Sequence, residues 1–343
     1  MARTAVVILN WNGLDFLRKF LPKVVDFTTD DSTTAIVADN GSTDNSCSWI
    51  SENFPNLKLI RFDSNLGFAE GYNRALSEVE AEYYVLLNSD IEVTPGWIKP
   101  LINHLENNPD VAACQPKILS FQKKDYFEYG GAAGGFIDRY GFTYCRGRIF
   151  GSVEKDTSQY DDPAEIFWSS GACMAVRAEA WQKCGGFDPD FFAHMEEVDL
   201  CWRFHNAGYK VTFIPDSVVF HVGGGTLGYE SPYKTYLNFR NSLYLLYKNL
   251  PEKELHKTLF LRKLFDALAV LMFFLKGQVR NVSSVFKAHA DYYRNLAFLR
   301  AKRKALVGKG IKPQYRLPNK SVVFEFYLKG NKTFNRINKN YKG

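Results

Sequence analysis

Four short apolar runs constrain this chain more than any other feature: TAVVIL at 4–9, TTAIVA at 33–38, LKLIRF at 57–62 and YYVLL at 83–87. Each is β-branched or aromatic and nearly unbroken, as a strand covered on both faces must be. Between them lie stretches of helical length, Leu14 to Val25, Asp44 to Asn53 and Ala69 to Val79. This βαβαβαβ rhythm predicts an α/β fold with a Rossmann-like, mostly parallel, doubly wound sheet.

Ligands of such sheets bind outside the carboxyl ends of the strands. Here the runs end in Asn10-Trp11-Asn12-Gly13, in Asp39-Asn40-Gly41-Ser42-Thr43-Asp44, in Asp63-Ser64-Asn65-Leu66-Gly67 and in Asn88-Ser89-Asp90. Asp, Asn, Gly and Ser are also the commonest turn and cap residues, and Asp44 reads as a helix cap or first-turn residue. Asp90 is different, because strand-like Ile91-Glu92-Val93 follows it and no helix does. A carboxylate there is placed to hold a hard cation together with the phosphates that the cation carries.

The second half carries further acids. GGFDPDFFAHMEEVDLCWRFHNAGY reads as a turn followed by a helix with Glu196, Glu197 and Asp199 in its first turn and Gly208 just past its end. Asp199 and Arg203 have the spacing of a pair across one helical turn. Glu196 and Glu197 point about 100° apart, so one of them is expected to face a reacting centre. His221 follows the strand-like VTFIPDSVVF and precedes Gly223-Gly224-Gly225, a loop able to approach a pyrophosphate. GGAAGG at 130–135 opens no helix after a strand, which excludes a dinucleotide fingerprint there.

Charge is unevenly spread. Residues 251–343 hold 21 lysines and arginines against 5 acids, so the net +6 of the 343-residue chain conceals an acidic body and a basic extension. Such an extension meets an anionic surface or is simply solvated. Within it, Leu264 to Leu275 is apolar but for Asp266, too short for a spanning helix of about 20 residues. Flanked by Arg262, Lys263, Lys276 and Arg280, it reads as a basic-edged helix on the cytoplasmic membrane face, on the catalytic body or on a second subunit. The six cysteines show neither a C-x-x-C pair nor zinc spacing, and the first strand begins without a secretory pattern; both point to a reduced, cytoplasmic setting.

Taken in order, VVILNWNG, IVADNGSTDNS, SNLGFAEGYNRAL, VLLNSDIEVTPGW, SGACMAVRAEAW, GGFDPDFFAHMEEVDLCWRFHNAGYK and FHVGGGTLG resemble glycosyltransferase family 2, most of all its bacterial rhamnosyltransferase-like branch. The resemblance implies a GT-A fold and an inverting transfer from a nucleotide-sugar donor. It places a catalytic domain at 1–250, with a nucleotide-binding half at 1–120 and an acceptor and catalytic half at 121–250, and leaves 251–343 as a helical extension. Asn10 and Asp39 match positions around the base and ribose, and Gly67 and Asn73 match the segment closing over the nucleotide. Asn88-Ser89-Asp90 falls on the D-x-D element, with Asp90 as metal ligand and Asn88 where the pattern has an acid. His221 matches a second metal contact, for Mn²⁺ or Mg²⁺. Glu197 matches the general base, and Glu196 a neighbour that orients it or binds the acceptor. The implied donor is dTDP-rhamnose, with a UDP-hexose as the alternative, and the implied acceptor is a glycan or lipid-linked glycan of a surface polysaccharide, met at the inner face of the membrane, with homo-oligomerisation left open.

Two other classes fit less well. A sugar nucleotidyltransferase needs a Gly-rich, basic loop after the first strand to hold a triphosphate, and NWNGLDFL provides none. A non-catalytic protein that binds sugar or nucleic acid leaves Asp39, Asp90, Glu197 and His221 unexplained together.

Overall fold

The first strand shows how the sequence builds the sheet. In β1 (Thr4–Asn10) the side chains alternate between two cores, Ala5 and Val7 joining one and Val6 and Ile8 the other, because neighbours on a strand point to opposite faces. The same division recurs in β4 (Tyr83–Asn88), with Tyr84 and Leu86 on one side and Val85 and Leu87 on the other. A strand enclosed on both faces has no polar side, which is why these runs are apolar throughout. The structure is a computed structural model that describes residues 2–28, 32–223 and 231–338.

β1 lies between β2 (Thr33–Asp39) and β4, parallel to both, and β3 (Lys58–Arg61) extends the parallel edge beyond β2. Helices α1 (Leu14–Thr28), α2 (Ser46–Asn53) and α3 (Gly67–Ser77) make the crossovers. Asp44 begins two of them: its carboxylate accepts the Leu14 N–H at 3.1 Å and the Ser46 N–H at 3.0 Å. Beyond β4 the sheet becomes mixed. β5 (Ile91–Val93) and α4 (Ile98–Asn107) lead to β6 (Val111–Ser120). Four short strands, β7 (Gly135–Ile137), β8 (Thr143–Cys145), β9 (Arg148–Ile149) and β10 (Ser152–Val153), form a separate small sheet. The main sheet is completed by β11 (Ala164–Ile166), β12 (Cys173–Arg177) and β13 (Lys210–His221).

The main sheet has nine strands in the order β11-β13-β6-β12-β4-β1-β2-β3, with β5 on β13. Among the described residues, β5, β11 and β12 run against the other strands, so the sheet is mostly parallel. β13 shifts register against β6 between Ile214 and Val218, around Pro215, which has no N–H for the ladder. Side chains of α1, α2 and α4 fill one core, while α3, α5 (Ala178–Cys184), α6 (Glu196–Asn206) and α7 (Pro232–Asn249) fill the other. All six cysteines are free thiols.

The basic C-terminal segment is helical and packs on this second core. α8 (Glu252–Leu275), α9 (Val279–Arg294) and α10 (Leu296–Gly308) contribute Leu255, Leu259, Tyr292 and Leu299 to it. After α10 the chain returns to the small sheet, where α11 (Phe334–Ile337) sets the Phe334 ring 4.8 Å from that of Phe136. No described helix is long and apolar enough to cross a membrane. Asp266, the interruption in the apolar run, faces inward: its buried carboxylate accepts Arg262 Nε at 2.9 Å and lies 3.0 Å from His289 Nε2 on α9. Arg262 in turn donates to the carbonyls of Tyr140 and Gly141, both at 3.3 Å. Asp266→Ala strands the buried Arg262 and is expected to lower stability by about 3–5 kcal/mol. Urea unfolding checks this against Leu268→Ala on the exposed face, expected within about 0.5 kcal/mol of the parent.

Candidate active site

The polar ends of β1, β2 and β4 meet at one edge of the sheet, as parallel register requires: Asn10 lies opposite Asp39, and Leu9 opposite Asn88. Asn10 is buried and donates through Nδ2 to Asp39 Oδ1 at 3.0 Å and to Ser42 Oγ at 3.2 Å, leaving its Oδ1 without a partner. Asp39 Oδ2 accepts the Ser42 N–H at 2.9 Å. Asn40 ties this edge to the next loop, donating to the Gly67 carbonyl at 2.9 Å and accepting the Leu66 N–H at 3.0 Å. Gly67 has a φ of +81°, and a Cβ there would come within 2.9 Å of the Phe192 ring, so only glycine lets the start of α3 approach the 192 loop. Asn73, two turns along α3, has its amide on the backbone of Phe187, donating at 2.8 Å and accepting at 2.9 Å. It fastens α3 to the turn before Asp188.

Asp90 acquires its neighbour from the antiparallel pairing of β5 with β13, which sets His221 opposite Ile91. Nε2 of His221 is 3.2 Å from Asp90 Oδ1. The other ring nitrogen, Nδ1, is 3.3 Å from Glu128 Oε2, within ion-pair reach though out of line for a hydrogen bond. Burial opposes a charge on this ring, but Asp90 and Glu128 on its two sides outweigh it and push the imidazole up to about 10. Burial likewise raises the Asp90 carboxyl, yet His221 and backbone N–H groups hold it below the usual range. Asn88 is half-buried; its backbone N–H donates to the Ala172 carbonyl at 2.9 Å. Gly224 and Gly225, expected to approach a pyrophosphate, lie outside the described residues.

Among the described residues no three His, Cys, Asp or Glu side chains converge as a metal cage. The reason is geometric: Glu128 stands behind the imidazole, so only Asp90 and His221 offer donors at a shared point. One carboxylate and one imidazole, backed by a second carboxylate, fit a divalent cation whose remaining ligands are phosphate and water.

The second group of acids stands at the N-terminus of α6. Glu196 is buried and Glu197 half-buried, and each has an Oε2 with no partner. Burial raises the Glu197 carboxyl to about 7, outweighing the N–H groups of the helix start. Glu196 is raised well above the usual range, by burial and then by the charge of Glu197. The helix terminus alone favours ionisation, so desolvation has reversed the sign of the expected effect. Cβ of Glu197 lies 3.8 Å from where a Cβ at Gly171 would stand, beside the Phe68 ring. Ala172, the next residue, accepts the Asn88 N–H, so the base candidate and the end of β4 flank one stretch of backbone. Asp199 and Arg203 pair at 2.9 Å, as their spacing implies.

Three residues escaped the sequence reading. Glu128 precedes the 130–135 glycines, and its carboxylate accepts the Gly130 N–H; an acid beside a glycine turn was the available signal. Arg240 and Asn241 on α7 hold the loop before α6, where Phe192, His194 and Met195 all have positive φ, from 63° to 74°. Such residues cost about 1–3 kcal/mol each unless the surroundings enforce them. The Asn241 amide donates to the carbonyls of Phe191 and Ala193, both at 3.0 Å, and of His194 at 2.7 Å, while Arg240 donates to the Asp190 carbonyl at 2.8 Å. Nothing in NFRNSLY announces this. His194 Nε2 is buried without a partner, and burial, then Lys234, push the ring down to about 4.

The chain is similar to several proteins of known activity or fold. Over 242 residues it is 27% identical to the N-acetylglucosaminyl-diphospho-decaprenol L-rhamnosyltransferase of Mycobacterium tuberculosis, covering 63% of this chain and 75% of that protein. Its fold is similar to that of GalNAc-T7 solved with UDP, GalNAc and Mn²⁺, with a TM-score of 0.57 and 16% identity over 74% of this chain and 49% of that one. It also resembles a mannosyltransferase from Pyrobaculum calidifontis in complex with GDP-Man and Mn²⁺, with a TM-score of 0.51 and 17% identity over 90% of this chain and 86% of that one. At such identities the two structures speak for the GT-A fold alone. Residues 5–177 match the family described as Glycosyl transferase family 2, and with half the chain matched, the protein belongs to that family and is a glycosyltransferase.

Proposed function

We propose that this enzyme moves a sugar, with inversion, from a nucleoside-diphosphate donor to a hydroxyl of a lipid-linked glycan at the inner face of the cell membrane, in the making of a surface polysaccharide. The observation that carries the reading is the pairing of Asp90 with His221 at the sheet edge, with Glu197 beside Gly171, one residue from the Ala172 carbonyl that accepts the Asn88 N–H. The donor favoured is dTDP-rhamnose, supported by the likeness to a rhamnosyltransferase; a UDP-hexose is the second candidate. Asn10 and Asp39 receive the nucleoside, and Gly67 lets the start of α3 close over it. Asp90 and His221 are the residues to hold Mn²⁺ or Mg²⁺, the imidazole tilting the preference towards manganese. A cation bound there would supply positive charge to offset that on the departing diphosphate.

Glu197 takes the proton of the acceptor hydroxyl as the oxygen bonds to the anomeric carbon, and the bond from that carbon to the diphosphate oxygen breaks on the opposite face. A carboxyl poised at about 7 is well matched to this role, being about half ionised at neutral pH and still basic. Glu196, whose carboxyl burial and then the charge of Glu197 raise well above the usual range, orients the base or binds the acceptor. The strained loop from Phe192 to Met195 fixes where both acids point.

The direct test is release of nucleoside diphosphate from dTDP-rhamnose and from UDP-hexoses with added Mn²⁺. Asp90→Ala is expected to abolish release at any practical manganese concentration, and Asn88→Asp to stay active; full activity in Asp90→Ala removes Asp90 from the mechanism.

Glu197→Gln is expected to keep the melting temperature and donor affinity while lowering turnover roughly 10²- to 10⁴-fold, with Glu196→Gln losing less. The reverse ranking makes Glu196 the base.

Because the base acts ionised, turnover should fall about tenfold per pH unit below the Glu197 pKa of about 7 and level off above it. A pH–rate profile that stays flat from 5 to 9, with intact donor binding, would rule this assignment out.

A further inference from the structure

α8 carries leucines on two opposite sides. Leu255, Leu259, Arg262 and Asp266 are buried against the body. At 100° per residue, Phe260, Leu264, Leu268, Leu271 and Leu275 gather on the reverse side, each between 50% and 75% exposed. Past the Gly277 turn, Val279 and Phe286, the latter two turns further along α9, are exposed by a similar amount. Monomeric soluble proteins rarely leave a contiguous patch of this kind open unless it meets something.

We propose that this face lies in the interface of an anionic lipid bilayer, with α8 parallel to the membrane plane. Phe260 to Leu275 spans about 22 Å of helix, and the helix is not apolar enough to cross a membrane, which leaves a stripe that inserts only to the depth of its side chains. Both ends of the stripe are basic: exposed Lys253 and Lys257 precede it on the same side of the helix, and exposed Lys276 and Arg280 follow it. The two acids at the start of α8 are answered within the chain, Glu252 by Arg303 at 3.0 Å and Glu254 by Arg316 at 3.8 Å. A bilayer with acidic headgroups complements this arrangement. A second copy does not, because any pairing of α8 with itself, parallel or antiparallel, sets lysine and arginine against lysine and arginine. The proposal deepens the reading of a membrane-held acceptor and rests on that reading for its purpose, though its physical basis is the surface alone.

The test uses the whole chain, without donor, sedimented with phosphatidylcholine vesicles with and without phosphatidylglycerol. The wild type is expected on the phosphatidylglycerol vesicles and to leave them as salt rises. Leu268→Glu/Leu271→Glu should lower partitioning by roughly tenfold or more, and Lys276→Glu/Arg280→Glu should lower it at low salt. Both variants should keep the parent's melting temperature and donor hydrolysis, since every altered residue is exposed. Wild-type protein that ignores both kinds of vesicle overturns the proposal, as does a stripe variant that partitions like the parent. So does a wild-type dimer that the stripe variant splits, which assigns the face to a second copy. Because vesicle binding needs no donor, protein that binds vesicles yet releases no nucleoside diphosphate upholds the surface and counts against the catalytic reading only.

Discussion

One buried carboxylate fixes the position of α6. Asp199 is fully buried on α6 and accepts from Arg203 at 2.9 Å, from Lys248 at 3.0 Å and from Asn249 at 2.8 Å. Lys248 also pairs with Asp188, and Lys302 of α10 pairs with both Asp188 and Asp190. A charge cluster of this kind adds little net stability over an apolar equivalent, since desolvation offsets most of the attraction. Its effect is directional. It allows α6 one placement relative to α7 and to the 188–190 turn, and Glu196 and Glu197 begin that same helix. Asn241, two turns before Lys248 and on the same side of α7, holds the strained loop that precedes the two acids. One face of α7 thus governs both the helix and its entry.

The parts of this architecture legible in the sequence are the local ones. β1 to β4 and their crossovers follow from runs of neighbouring residues, and parallel register then brings Asn10, Asp39 and Asn88 to one edge with no further information. The pair Asp199–Arg203 was readable because helical spacing alone decides it. The approach of His221 to Asp90 was not, since it depends on β5 and β13 pairing across more than a hundred residues and on the register shift around Pro215. The place of His221 came from resemblance. Lys248 and Asn241 carry no periodic or motif signal, because their partners are distant in sequence and mostly backbone carbonyls or buried charges, and Glu128 has only the glycine turn beside it. The ionisation of the two glutamates was also hidden: a helix start predicts an ionised acid, whereas desolvation, which reverses it, is a property of the packed interior.

The extension beyond Pro251 shows the same division between local and long-range information. Its helices and charge are evident in composition. Its attachment is not, for Leu255, Tyr292 and Phe334 are buried against parts of the body reached only in the folded state.

Asp266 has one consequence beyond its hydrogen bonds. A helix with leucines on opposite sides has two ways to lie against a hydrophobic body, differing by half a turn about its own axis. Burial of leucines cannot choose between them. The ion pair of Arg262 with Asp266 can, because only one rotation brings Arg262 to the Tyr140 and Gly141 carbonyls and Asp266 to His289. A single acid inside an apolar run, which by composition looks like a flaw in the segment, works as an orientation key that decides which row of leucines the protein keeps and which it presents.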